Sequence, residues 1–278
     1  MKVRVKFRKY GPVRFIGHLD VMRYFQKAIR RADLDIAYTG GYSPHQIMTF
    51  AAPLGVGLES NGEYMDIELH SLQSCRDVRD RLNAVGVYGI EIVSVRVLPD
   101  NAGNAMASVA AASYTVRFRE GRVPETDIAG VLPQFLARKT IPYTKETKKG
   151  SRELDLKTGI YEISWDGRAF SMLLDASSAG NIKPGQVIEA LLDQAGERLQ
   201  ENALLITRED LYTRIEAAGE GSAVDGNVSQ ASLIKQKSTG SRSGFVSLGE
   251  IGSMGIGGTG MENMEIEDME IRSMEMTV

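Results

Sequence analysis

The sequence predicts an α+β fold of two tandem ferredoxin-like (βαββαβ) units followed by a disordered C-terminal tail. Three observations carry that expectation. Short alternating strands and amphipathic helices occur in the order β-α-β-β-α-β before residue 99. The same order recurs after a small-residue stretch at 100–112. From residue 217 onward Gly, Ser, Met and Glu dominate, and such a chain cannot bury enough apolar surface to offset its entropy. The expected organisation is therefore a first unit at 1–99, a linker at 100–112, a second unit at 113–216 and an acidic tail at 217–278.

Lys2 to Phe7 places Val3, Val5 and Phe7 on one side and Lys2, Arg4 and Lys6 on the other, a half-buried strand. Gly11-Pro12 breaks it. A helix over Leu19 to Ala32 puts Leu19, Met22, Phe25, Ile29 and Ala32 on an apolar stripe, with Arg23, Lys27 and Arg30 on the other face and Arg31 beside them. Strands are expected at Gln46–Leu54, Tyr64–Leu69 and Ile90–Leu98, with a helix capped by Ser71 running to Val85. In the second unit Tyr114–Arg119 alternates as a strand, and Pro124 opens a helix that Pro133 should kink or shorten. Asp166-Gly167 marks a hairpin, Pro184 opens the last helix, and 203–206 and 211–215 finish the sheet. Arg138 to Lys157 holds seven basic residues and reads as a solvated loop, with a phosphate-contacting element as the sharper alternative.

The net charge of −3 conceals an uneven distribution. Residues 1–50 carry ten Lys/Arg against three Asp, a balance of +7, whereas the tail carries four basic and nine acidic residues. A basic N-terminal face attracts phosphate or is merely solvated. The single cysteine, Cys75, rules out an internal disulfide framework and sits on an apolar helix face. No apolar run approaches the ~20 residues of a membrane span, and the N-terminus lacks the apolar stretch of a secretory signal. A cytoplasmic protein is the expectation.

Candidate chemistry concentrates between Phe15 and Ser60, which holds two of the three histidines and five glycines. His18 precedes the first helix and His45 sits in a Gly-Gly-Tyr-Ser-Pro-His loop. If that helix and the second strand are neighbours, both face one pocket with Asp20, Arg14 and Arg23. Two nitrogens without HxxxH or HxH spacing argue against a metal site. A polar binding surface and backbone-bonded structural histidines stay equally open. His70 reads as structural. Tyr42 suits stacking on a base or covering the core. Neither a phosphate loop, a dinucleotide fingerprint nor a GxSxG elbow is present, so no complete catalytic motif and no cofactor site is read in this chain.

These residues resemble a known bacterial family, the radical-SAM-linked proteins, a domain found alone or fused after a B12-binding radical SAM enzyme. The resemblance lies in Phe15-Ile16-Gly17-His18-Leu19-Asp20-Val21-Met22-Arg23, Arg30-Arg31-Ala32, Gly41-Tyr42-Ser43-Pro44-His45, Pro53-Leu54-Gly55-Val56-Gly57 and Glu63-Tyr64-Met65-Asp66-Ile67-Glu68-Leu69. It covers about residues 1–215. Gln46-Ile47 stands where the family pattern has Pro-Lys, which removes a lysine–phosphate contact there. The resemblance implies association with a radical SAM enzyme in trans, because this chain lacks CxxxCxxC.

The expected function is a non-catalytic module that binds structured RNA, tRNA or rRNA, for that partner enzyme. Arg14, Arg23, Lys27, Arg30 and Arg31 would contact phosphates, with His18, Asp20, Tyr42 and His45 shaping the pocket. One rival is a metal-independent RNA endonuclease using His18 or His45 as general base, by fold analogy. Another is a protein-only docking module.

Overall fold

The computed structural model describes residues 1–147, 150–214 and 244–254. The architecture is mixed α/β, with helices packed on a mostly antiparallel sheet. Its first half contains β1 (Lys2–Lys9), α1 (His18–Arg31), β2 (Met48–Phe50), β3 (Glu59–Glu68), α2 (Cys75–Ala84) and β4 (Ile90–Val97). A short α3 (Ala105–Ser108) leads into β5 (Ala111–Phe118), α4 (Ile128–Ala137), β6 (Pro142–Thr147) and β7 (Gly150–Asp155). Then come β8 (Ile160–Trp165), β9 (Ala169–Asp175), α5 (Pro184–Gln194), β10 (Leu204–Arg214) and β11 (Phe245–Ser247).

Nine strands among the described residues form one sheet, in the path β4-β1-β3-β10-β5-β9-β8 with β2 on β3 and β11 on β10. The two halves are thus not separate sandwiches. One edge of β3 is shared: its start pairs in parallel with β10 (Thr207 with Glu59, Arg208 with Ser60), and its end pairs with β2. β10 divides its own edge in the same way, giving residues 207–208 to β3 and 212–214 to β11.

The alternation read in β1 is what the sheet requires. Val3, Val5 and Phe7 are buried against α1 and α2 with Phe25, Ile29, Met65, Ile67, Val78 and Leu82. Phe7 meets Phe25 edge-on at 4.8 Å, and Phe50 stands 5.9 Å from Phe25, an aromatic knot that seats α1 on the sheet. The second core packs Val116, Phe170 and Met172 of the sheet against Leu132, Phe135, Val187 and Leu191 of α4 and α5. Asp166-Gly167 turns β8 into β9 with Gly167 at φ +93°, and Pro184 opens α5.

Several expectations need correction. Leu19 is more than half exposed, whereas Val13 and Ile16 of the preceding turn pack against the first core. The second helix is capped by Ser74, whose Oγ accepts the Asp77 N–H at 3.0 Å, while Ser71 donates to Asp35 at 2.8 Å. Residues 100–112 are not a free linker: Ala105, Val109, Ala111 and Ala112 are buried, so the small side chains are close-packing rather than flexibility. The basic loop at 138–157 contains the β6–β7 hairpin, tied to α5 where the Tyr143 hydroxyl donates to Glu189 at 2.8 Å. The expected tail is folded at 244–254. Phe245, Val246 and Leu248 are buried, Ser253 bridges Val97 on β4, and this stretch therefore links β10 to the far edge of the sheet. The rest of the tail lies outside the described residues. No helix among the described residues is long and apolar enough to cross a membrane.

Candidate functional site

The Gly17 carbonyl accepts the N–H groups of Asp20 and Val21, both at 3.1 Å, and so starts α1 without a side-chain cap. His18 is the first helical residue. Its ring stands edge-on to Phe50 at 5.1 Å and lines a hollow of about 10 Å³ together with Phe7, Lys9, Val21, Leu54 and Glu63. That space holds roughly one water.

Behind His18 lies a charged cluster that sequence reasoning missed. Lys9 is 2% exposed, and its Nζ donates to the carbonyls of Ile16 at 3.0 Å and Arg14 at 3.4 Å, fixing the turn that precedes α1. Burial pulls its pKa down, Glu63 opposes that pull and Arg208 adds to it. Glu63 and Arg208 form a buried two-point ion pair across the joint between β3 and β10, at 2.8 and 2.5 Å. Arg208 also donates to the Ala52 carbonyl at 3.1 Å. A second cluster lies one step along the same joint. Asp210 accepts from Tyr64, from Ser247 at 2.7 Å and from Lys6 at 3.2 Å. Burial first, then the Asp210 charge, push the Tyr64 hydroxyl well above its ordinary range. These partners are 145 and 146 residues apart in sequence, too far for spacing to reveal.

Half of the ten basic side chains on the first fifty residues are already matched by carboxylates. Arg4 makes a two-point pair with Asp66, Lys6 meets Asp210 and Arg8 meets Glu91. Arg14 pairs with Glu59 at 3.0 Å, and Arg23 with Asp20 at 3.2 Å on the exposed face of α1. Lys27, Arg30 and Arg31 are exposed on α1 with no ion pair among the described residues, and Arg30 and Arg31 occupy the last turn, where cations suit the helix dipole.

The glycine-rich loop is placed elsewhere than expected. Tyr42 is fully exposed, and His45 is an exposed residue whose Nδ1 lies 3.1 Å from the Thr39 hydroxyl. The loop is closed by a bridge between Tyr38 and Gln46, and the Gln46 amide reaches the Gln26 carbonyl at 3.4 Å. Gln26 is eight residues along α1 from His18, about 12 Å at the helical rise. His45 therefore flanks the middle of α1 while His18 is at its start. The shared pocket expected for His18, His45, Asp20, Arg14 and Arg23 is not formed among the described residues. Nor do three His, Cys, Asp or Glu residues come together there as metal ligands. Cys75 is buried on α2, and its burial pushes the thiol pKa up.

The larger hollow, about 140 Å³, opens at the β3–β10 joint. Its floor carries Thr115 and Arg117 of β5 facing Thr207 and Leu205 of β10, and Glu59 of β3 next to Thr207. The turn 11–15 supplies Arg14, whose carbonyl accepts the Gly57 N–H at 2.8 Å, and Gly57 takes φ +88° to make that approach. Phe15 next to Arg14, Val56 next to Gly57 and Leu19 in the first turn of α1 remain more than half exposed.

Comparison with known proteins adds a family but no activity. No curated protein matches the chain. A chain from the crystal structure of a Cbf5-Nop10-Gar1 complex is similar at 13% identity and a TM-score of 0.40, over 75% of this chain and 48% of that one. This chain thus spans about half the length of that structure, and a likeness so slight carries no functional argument. The profile of uncharacterized proteins conserved in bacteria, DUF2344, matches residues 2–184, which include β1 through β9 with α1 and the whole 15–60 stretch. The chain belongs to the bacterial DUF2344 family.

Proposed function

We propose that this protein is a non-catalytic RNA-binding module, built from two tandem ferredoxin-like units and working with a radical SAM enzyme supplied in trans. The strand orders β4-β1-β3-β2 and β10-β5-β9-β8 are the same permutation, which supports the duplicated unit. The observation that carries the RNA reading is the outward face of α1. Five other N-terminal cations are held by carboxylates, yet Lys27, Arg30 and Arg31 are exposed with no ion pair among the described residues, three charges within one stretch of five residues. Such a stripe reads phosphates without reading sequence. The full exposure of Tyr42, on the loop that flanks the same helix, supports a role in stacking on an unpaired base. The partner enzyme enters through the sequence resemblance described above.

Filter binding of tRNA across a salt series tests this. Removing Lys27, Arg30 and Arg31 together should lower the slope of log K against log salt by up to about 2–3, if each contacts one phosphate. Wild-type protein that binds no RNA, or binds it without salt dependence, would refute the reading. A second reading, a protein-only docking module, is favoured by the exposed Phe15, Leu19 and Val56. Co-purification of a radical SAM protein lost in Phe15→Ser, without RNA binding, would select it.

A further inference from the structure

We propose that the cleft at the β3–β10 joint is a separate binding site for a phosphate-type oxyanion. The argument starts from what the cleft offers. Arg117 projects from β5 with no ion pair among the described residues, and the hydroxyls of Thr115 and Thr207 sit directly across the β5–β10 ladder from one another. Arg14 enters from the turn above, and its buried Nε has no hydrogen-bond acceptor among the described residues. That atom is sealed from solvent, so Arg14, whose side chain is 28% exposed overall, offers the cleft its charge rather than this donor.

Glu59 is the opposing feature. It lines the cleft, but its Oε1 accepts the Gly11 N–H and Arg14 Nη1, each at 3.0 Å, so that carboxylate is paired with Arg14 and holds it in place. Two guanidinium groups against one carboxylate leave the cleft positive. The donors also converge from three elements, the 11–15 turn, β5 and β10. A tetrahedral oxyanion accepts from several directions at once, whereas a planar carboxylate is matched by a single guanidinium fork. The volume, about 140 Å³, is many times what one water needs and admits such a group with its substituent left outside. Leu205 lines the cleft, and the exposed Phe15 ring lies 4.8 Å from the Arg14 guanidinium, apolar surface for an attached sugar or base.

The shared chemistry has two sources, the phosphomonoester of a free nucleotide and the phosphodiester of a single-stranded RNA. Calorimetric titration of the full-length chain with inorganic phosphate, AMP and a single-stranded hexaribonucleotide, at constant ionic strength, separates them. We expect AMP or the hexanucleotide to bind, with Arg117→Ala weakening it about tenfold or more, as loss of a charge-assisted hydrogen bond does, and Thr207→Val a few-fold. Tighter AMP assigns the free nucleotide, and a tighter hexanucleotide assigns the chain phosphate. Absence of binding by all three probes, or an Arg117→Ala protein that keeps wild-type affinity and an unchanged urea midpoint, overturns the proposal. Neither result bears on the α1 face, which the change in tRNA salt slope on removing Lys27, Arg30 and Arg31 reads independently.

Discussion

Replacing Glu63 by Gln should destabilise the fold by about 3–5 kcal/mol, the range for removing one partner of a buried ion pair. The structure supplies the reason. The Glu63 and Arg208 side chains are 6% and 5% exposed, so water cannot screen what is left behind. Without the carboxylate, Arg208 and Lys9 remain as two buried cations with no anion between them. Arg208→Met is expected to cost less, because Glu63 keeps Lys9 as a neighbouring counter-charge. Replacing both, as Glu63→Leu with Arg208→Met, should cost less than Glu63→Gln alone, since Lys9 is then the one buried cation left without its counter-charge and not two. Urea unfolding at neutral pH, reporting midpoint and slope for the four proteins, measures the order. A Glu63→Gln variant within about 1 kcal/mol of wild type would place the pair with ordinary surface salt bridges and refute the argument. So would a double variant less stable than Glu63→Gln.

Three further outcomes follow from the same geometry. Leu248→Ala should cost about 2–5 kcal/mol, because Leu248 is fully buried beside Tyr64 and Leu211; an unchanged urea midpoint would mean that 244–254 is not part of the folded core. Gly62→Ala should cost about 1–3 kcal/mol, since a Cβ there would stand 2.6 Å from the Glu209 carbonyl; a neutral result would mean that β10 yields at its bulge. Lys9→Met should flatten the dependence of stability on pH in the window just below 10.5. The lowered pKa of Lys9 means that the unfolded chain binds its proton more readily, so wild-type stability rises with pH there, reaching its full contribution above 10.5 and losing it as pH falls through the folded value. Parallel stability profiles for the two proteins from mildly acidic pH to 10.5 would refute that assignment.

What the sequence disclosed and what it hid divide along a physical line. The period-2 pattern of Lys2–Phe7, the stripe of α1, Asp166-Gly167 and Pro184 are local signals, and each marks the element found there. Burial set by distant partners leaves no such trace. Arg4 and Lys6 read as a solvated basic strand face, yet Asp66 and Asp210 occupy them. Glycine and alanine at 100–112 carry the composition of a linker, and only the close approach of α3 to β2, β3 and β10 shows why Ala105 is small. Phe245-Val246-Ser247 is three residues in a low-complexity setting, and its strand exists because β10 outruns β3 and leaves an edge to pair. The clustering of His18 and His45 failed for a similar reason. Nearness in sequence to one helix does not specify which turn of that helix a loop will flank.

The joint between the halves explains why its polar residues matter more than their number suggests. β3 and β10 exchange backbone pairing at two register positions only, against an extended ladder between β1 and β3 on one side and between β10 and β5 on the other. A parallel contact so short fixes register weakly. The side chains supply what the backbone does not: Glu63 with Arg208, Asn61 with Glu209 at 2.7 Å, and Lys6 and Tyr64 with Asp210. Each link is directional, so a slip of one residue would break them together, whereas an apolar seam would tolerate it. Thr207 and Glu59, which pair at that joint, also form the floor of the cleft. A change in the Glu63–Arg208 pair should therefore be felt at Arg117 and Thr115 without touching them. Weakened oxyanion affinity in Arg208→Met at a temperature where the variant remains folded would show that coupling, and unchanged affinity would show that the cleft floor is held by β5 alone.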